Sequence, residues 1–260
     1  MRNITLDRYN SYVALITINN PEKQNAFDAA ILNELLELLK DIEKDKSFRT
    51  VYITGSGENA FSSGVFLKDL VEFKDTTEAR NYASLLDATM DGLYNLPKPV
   101  IAMINGYALG GGFGLAMSSD IRIITHGARI GFPAVKIGAI LPPGCTYRLI
   151  SLIGAGRAKE LLLTGRYVTA EEALSMGMVN YVVKDREALF KKADELTQMI
   201  LEGPDTALAI TKATVNKHTN ELIYRYNLYS PDNFAYLFTT KDWQERIHKF
   251  LNRKNTKKNV

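Results

Sequence analysis

At 260 residues, with 46% hydrophobic and 23% charged side chains, the chain has the make-up of a globular protein of one large domain, which excludes a disordered or collagen-like polymer. Its single cysteine, Cys145, excludes an intramolecular disulfide framework and fits a reducing compartment, so a cytoplasmic protein is expected. The net charge of +3 hides an asymmetry: Arg246, Lys249, Arg253, Lys254, Lys257 and Lys258 lie in a tail without acidic residues, and the rest of the chain carries −3, which argues against nucleic-acid binding.

In chain order, Met1–Asp7 lacks the apolar core of a signal peptide, and no stretch approaches the length of a membrane span. Ile4–Tyr9 and Tyr12–Ile18 read as two strands joined at Asn10-Ser11. Asp28 is placed to cap a helix whose apolar residues Ile31, Leu32, Leu35, Leu38, Leu39 and Ile42 recur at helical spacing. Val51–Thr54 is a short apolar strand closed by Gly55-Ser56-Gly57. Glu78–Leu96 is a second helix, stopped by Pro97 and Pro99. Val100–Ile104 is a buried strand that runs into a glycine cluster, Gly106 to Gly114, in which a further helix begins. Ile121–Ile124 and Val179–Val183 read as strands, Ala155–Leu163 and Ala170–Met176 as helices, and 187–202, 204–217, 221–237 and 240–252 as a closing run of helices. Strands alternating with helices, then helices alone, predict an α/β core with a helical C-terminal portion. That portion carries Tyr224, Tyr226, Tyr229, Phe234, Tyr236, Phe238, Trp243 and Phe250, an aromatic density that fits a subunit interface or, alternatively, simple packing on the core.

Most catalytic signatures are missing. There is no phosphate-binding P-loop and no G-x-S-x-G elbow. Gly154-Ala155-Gly156-Arg157-Ala158-Lys159 departs from a dinucleotide fingerprint at Lys159, and His126, His218 and His248 lack the spacing of metal ligands. Cys145, beside Gly144, reads as a small buried thiol rather than a nucleophile. The informative places are two turns, Phe61-Ser62-Ser63-Gly64-Val65-Phe66-Leu67-Lys68 and Asn105-Gly106-Tyr107-Ala108-Leu109-Gly110-Gly111-Gly112-Phe113-Gly114. Glycine lets the backbone turn sharply, and a helix start leaves N–H groups unpaired, so one N–H from each turn could hold a developing oxyanion; close packing alone would also account for the glycines.

These segments resemble the crotonase (enoyl-CoA hydratase/isomerase) superfamily along nearly the whole chain. Asn20-Pro21-Glu22-Lys23-Gln24-Asn25-Ala26-Phe27, Ala60–Lys68, Lys98-Pro99-Val100-Ile101-Ala102 through Asp120, Ala158–Arg166 and Ala170–Val179 are similar to its motifs, in order and at its spacing. The resemblance implies a ββα spiral core over 1–200 with the acyl-CoA site, and a helical region over 201–260 that makes a homo-oligomer, a trimer or a dimer of trimers. It implies an acyl-CoA thioester as substrate, with coenzyme A entering as part of it and no separate cofactor. By position, Val65 and Gly111 would supply the oxyanion-binding N–H groups. Phe66, Leu67 and Lys68 would border coenzyme A, and Phe250 and Arg253 would bring a basic rim to its nucleotide end. Gly114 and Ala134 stand where a hydratase carries its two glutamates. Pro142 replaces a residue that is glycine or aspartate in several members, and Phe66 replaces the usual aspartate. The oxyanion apparatus is expected to be intact while the usual proton-handling carboxylates are gone. An isomerase would need one base from elsewhere, with Lys136, Tyr147 and Asn81-Tyr82 as candidates. A decarboxylase would need only the oxyanion site and an apolar pocket, and acyl-CoA binding alone is the non-catalytic alternative.

Overall fold

The computed structural model describes residues 3–226 and 230–256; the side chains of His218, 222–230 and 253–256 fall outside the described residues, so the expectations for Tyr224, Tyr226, Tyr229 and Arg253 do too. The hairpin is formed by β1 (Ile4–Arg8) and β2 (Val13–Ile18), with Ile4 opposite Ile18, and the Asn10 side chain closes the turn by accepting from the N–H groups of Tyr12 and Val13. Helix α1 (Ala29–Lys44) follows. Asp28 caps it by accepting from the Ile31 N–H at 2.9 Å, and Ile31, Leu32, Leu35, Leu39 and Ile42 form its buried stripe. Each such fully buried side chain contributes about 1.5–3 kcal/mol.

The chain then makes the same excursion three times. A strand of a large sheet is followed at once by a short strand of a second sheet, and then by helical structure. The first turn is β3 (Thr50–Gly55), β4 (Ala60–Ser62), α2 (Leu67–Leu70) and α3 (Thr76–Asn95). The second is β5 (Val100–Ile104), β6 (Tyr107–Leu109) and α4 (Gly111–Met117). The third is β7 (Ile121–Thr125), β8 (Arg129–Gly131), a 3-10 turn at Pro133–Ile137, and α5 (Pro143–Thr164). A last partial turn adds β9 (Val168–Thr169), α6 (Ala170–Ser175) and β10 (Tyr181–Val183), before α7 (Arg186–Leu201), α8 (Asp205–Tyr226), α9 (Ser230–Thr239) and α10 (Lys241–Thr256). The large sheet has the order β1-β2-β3-β5-β7-β10, parallel from β2 onward, and the small one the order β4-β6-β8-β9. This is the spiral of ββα turns that the family resemblance implies. No helix among the described residues is long and apolar enough to cross a membrane.

Three local readings need correction. The four strands of the small sheet were not anticipated, because two or three residues are too few to show alternation. Helix α5 begins twelve residues before the expected Ala155, because Pro143 occupies a first-turn position where its missing N–H costs nothing; Gly154, at φ 78°, then kinks the helix midway. The helices expected at 204–217 and 221–237 are divided differently, with α8 continuing to Tyr226. The C-terminal helices lie against the spiral: α9 packs on α3, and Phe234, Trp243 and Ile247 join the main core. Phe238 meets the rings of Phe73, Phe234 and Trp243, whereas Tyr236 is exposed.

Candidate active site

The first turn of interest leaves β4 at Ser62. Gly64 takes φ 89°, a region that side chains rarely tolerate, and a Cβ there would fall 2.3 Å from the Gly111 nitrogen. The strand-like segment beyond it is tied to the end of the Asn20–Phe27 segment: Phe27 N–H donates to Gly64 C=O and Phe66 N–H to Phe27 C=O, both at 2.9 Å. Asn25, itself left-handed at φ 55°, donates through its amide to the carbonyls of Ser56 and Ala60, and its own carbonyl accepts from the Ser62 hydroxyl. Asn105 donates to the same Ala60 carbonyl and to that of Gly57, while accepting from the Gly55 N–H. Two asparagines, one before α1 and one between β5 and β6, therefore hold one loop.

The second turn passes through Gly110, at φ 56°, into α4. Its backbone lies against the first: a Cβ on Gly112 would fall 2.2 Å from the Ser62 carbonyl oxygen, and one on Gly111 2.5 Å from the Phe27 ring. Both turns are thus packed too closely for side chains. Among the described residues, the N–H groups of Val65 and Gly111 have no hydrogen-bond acceptor.

A small open pocket, with room for about one water molecule, lies along one side of α3. Helix α3 lines it with Ala83, Leu86 and Asp87, the segment before α5 with Ile140, Pro142 and Pro143, and α9 with Phe234. Gly114 is buried behind Met90 and Cys145: a Cβ on Gly114 would sit 3.3 Å from Met90 Cε and 3.4 Å from Cys145 Sγ. Ala134 is half-buried in the 3-10 turn, and its carbonyl accepts from Ala139 N–H. Burial pushes the Cys145 thiol up to about 11, against a small opposing effect of Arg148, so it is protonated and unreactive at neutral pH. Arg148 is itself buried, paired with Asp91, bonded to Ser118 Oγ and stacked on the Tyr94 ring.

Of the other expected residues, Phe66 and Leu67 are half-buried, with Lys23 lying over the Phe66 ring, and Lys68 is exposed on α2. Phe250 is at the surface of α10. Pro142 lines the pocket. Among the candidate bases, Asn81 and Lys136 are exposed. The Tyr82 hydroxyl is buried without a hydrogen-bond partner among the described residues, and desolvation drives its pKa well above the usual phenol value. His126 contacts Glu171 on the surface, and no cluster of potential metal ligands occurs among the described residues. Sequence reasoning passed over Asp87. It also gave Asn25 and Asn105 no role beyond membership of a motif.

A family model described as enoyl-CoA hydratase/isomerase matches residues 8–258. The chain belongs to that family. It is 35% identical over 254 residues to a short-chain-enoyl-CoA hydratase of Clostridium acetobutylicum, covering 98% of this chain and 96% of that one. The structure matches that of an enoyl-CoA hydratase from Bacillus halodurans with a TM-score of 0.88 at 27% identity, covering 95% and 100% of the two chains. It matches a monofunctional enoyl CoA isomerase from M. smegmatis with a TM-score of 0.72 at 34% identity, covering 85% and 95%. The expected membership of an enzyme superfamily and its fold are therefore shown. In this member of the enoyl-CoA hydratase/isomerase family, positions 114 and 134 carry the small, neutral residues Gly114 and Ala134.

Proposed function

We propose that this protein binds an acyl-CoA thioester and stabilises its enolate, with the thioester oxygen accepting from the backbone N–H groups of Val65 and Gly111. The observation that carries this reading is the backbone-to-backbone packing of Gly64 against Gly111 beside two unpaired N–H groups. Negative charge builds on the oxygen as the enolate forms, and preorganised donors favour that state over the neutral carbonyl. One such donor is typically worth about 3–4 kcal/mol. Phe66, Leu67 and Lys68 border the coenzyme A moiety in this reading, and Phe250 and Arg253 the nucleotide end. Coenzyme A enters as part of the substrate, and no separate cofactor takes part. The working form is a cytoplasmic homo-oligomer, a trimer or dimer of trimers, built through residues 201–260.

Plain hydration is disfavoured. It requires a positioned acid and base, typically worth about 10²–10⁴-fold. Gly114 and Ala134 supply neither, and the space beyond Gly114 is filled by Met90 and Cys145. The test is a panel of enoyl-, saturated and malonyl-type CoA esters, followed for binding, for α-proton exchange in deuterated water and for product. Exchange in wild type, lost in a folded Gly111→Pro variant that still binds the ester, is the expected result. Wild-type exchange rates in that variant would remove Gly111 from the oxyanion site. The apolar filling around Gly114 also suits decarboxylation, in which departing carbon dioxide leaves its electron pair in the same enolate. Carbon dioxide release from a malonyl-type ester would establish it.

A further inference from the structure

Each unpaired N–H shares a peptide group with the carbonyl before it, and in a trans peptide the two point in opposite directions. The Val65 N–H is therefore aimed by whatever holds the Gly64 C=O, and that is the Phe27 N–H at 2.9 Å. The Phe66 N–H donates in turn to the Phe27 C=O, so the bridge between Phe27 and Val65 directs the Val65 N–H away from Phe27. The Gly111 N–H is aimed by the Gly110 C=O, which accepts from the Gly114 N–H at 3.1 Å, so it points out of the first turn of α4. That turn rests on the Phe27 ring: a Cβ on Gly111 would lie 2.5 Å from Phe27 Cζ and 2.9 Å from Cε2. Phe27 meets both turns, the first through its main chain and the second through the edge of its ring. It is 2% exposed, and the next residue, Asp28, caps α1. A ring packed and anchored in this way has little room to move aside.

We propose that Phe27 is a positioning residue that sets the distance and angle between the Val65 and Gly111 N–H groups, so that both act on one thioester oxygen. The inference rests on the acyl-CoA reading above. Both donors must reach the same oxygen at about 2.7–3.1 Å, so a small shift of either turn spoils one of the two bonds. The neutral thioester loses less by such a shift than the enolate, because donors favour the charged oxygen more strongly. Phe27 touches no reacting atom in this reading and acts through the two turns.

The experiment is a double-mutant cycle on Phe27 and Gly111, with folding checked by circular dichroism. Phe27→Leu removes the ring edge, Cζ and Cε2, that meets Gly111. Gly111→Ala keeps its N–H but drives a methyl group into that edge; its remaining contact is Gly64 Cα at 3.4 Å. In the double variant the methyl group occupies the space the ring has left. Butyryl-CoA is followed by calorimetry for affinity, by α-proton exchange in deuterated water, and by the infrared band of its isotope-labelled carbonyl, which moves to lower frequency as the oxygen is polarised. Each single variant should exchange about tenfold more slowly and lose much of the band shift, with affinity held within about threefold. The double variant should regain about half or more of both losses. Leu35→Ala, which empties a buried position of α1 instead, should leave exchange and band as in wild type. Losses that simply multiply in the double variant overturn the assignment. So do single variants with wild-type exchange and band, and so does a Leu35→Ala variant as impaired as Phe27→Leu. Should Gly111→Ala fail to fold, Phe27→Leu decides alone, and a wild-type carbonyl band in it overturns the assignment. Wild type that does not bind butyryl-CoA, or binds it without a band shift, defeats the acyl-CoA or oxyanion reading and this assignment with it. An uncoupled cycle in a wild type that binds and polarises the ester defeats the assignment alone.

Discussion

The two sides of the candidate site are built from different material. The glycine turns are made of main chain: Gly64 is pressed against Gly111 and Leu109, Gly111 against Phe27 and Gly112 against Ser62, so closely that no side chain fits between them. The pocket along α3 is made of side chains carried by α3, by the segment opening α5 and by α9. A hydrogen bond donated by main chain survives any substitution other than proline that preserves the path of the backbone. A proton-transfer group disappears with one codon. The turns therefore keep their form under substitution, while Gly114 and Ala134 carry no titratable group.

Substitution at Gly64 should break this contrast most severely. Gly64→Ala places a Cβ against the Gly111 nitrogen and the Leu109 carbonyl at a φ of 89°, where the obstructing atoms belong to backbone that cannot turn aside. A loss of about 3 kcal/mol or more in chemical denaturation, with activity abolished, is expected. A variant of wild-type stability would show that the turns are not packed against each other.

Gly114→Glu tests the pocket side. The new side chain meets Met90 and Cys145, so the substitution should cost about 1–3 kcal/mol by overpacking before its buried charge is counted. Met90→Ala added to it opens space and should recover part of that loss. A double variant no more stable than Gly114→Glu alone would mean that charge rather than volume governs the position.

Cys145 offers a pH test on the same wall. Its thiol ionises near the ordinary value of 9.0 when unfolded and near 11 when folded, chiefly because burial disfavours the thiolate. The unfolded chain therefore gives up its proton first. The stabilisation is complete below pH 9 and is lost as pH rises through 11. Denaturation midpoints of wild type should fall more steeply across that window than those of Cys145→Ala. Parallel slopes would show that the thiol is solvated.

The smallest effect belongs to a control outside both regions. Lys40 and Glu37 form an exposed pair on α1, and Lys40→Ala should change stability by less than about 0.5 kcal/mol in the same denaturation assay.

What the sequence revealed divides along the same line. Main-chain features were legible because they require particular residues: glycine at 64 and at 110–112, Asp28 as a cap, an apolar stripe along α1. Resemblance supplied the family, and the spiral followed from it. The small sheet escaped notice because Ala60–Ser62 and Arg129–Gly131 are too short to carry a pattern, and the first half of α5 was hidden behind two prolines. Asp87 was illegible for another reason. Along the helix it is one acid among several, and only the fold brings it into one pocket with Pro142 and Phe234 from distant parts of the chain.

The double grip on the Ala60 carbonyl has a kinetic consequence. Asn25 reaches it across 35 residues and Asn105 across 45, so the loop leading to Gly64 is fixed only after both intervening segments have closed. Closing such loops costs entropy that a two-strand hairpin such as β1 and β2 does not incur. During refolding, the Gly55 amide that donates to Asn105 should therefore gain protection in pulsed hydrogen exchange later than the amides of that hairpin; simultaneous protection would contradict this order. A nascent chain that has not yet presented Asn105 has a sheet edge and a helix but no rigid turn at Gly64, and competence arrives with the second turn of the spiral rather than growing residue by residue.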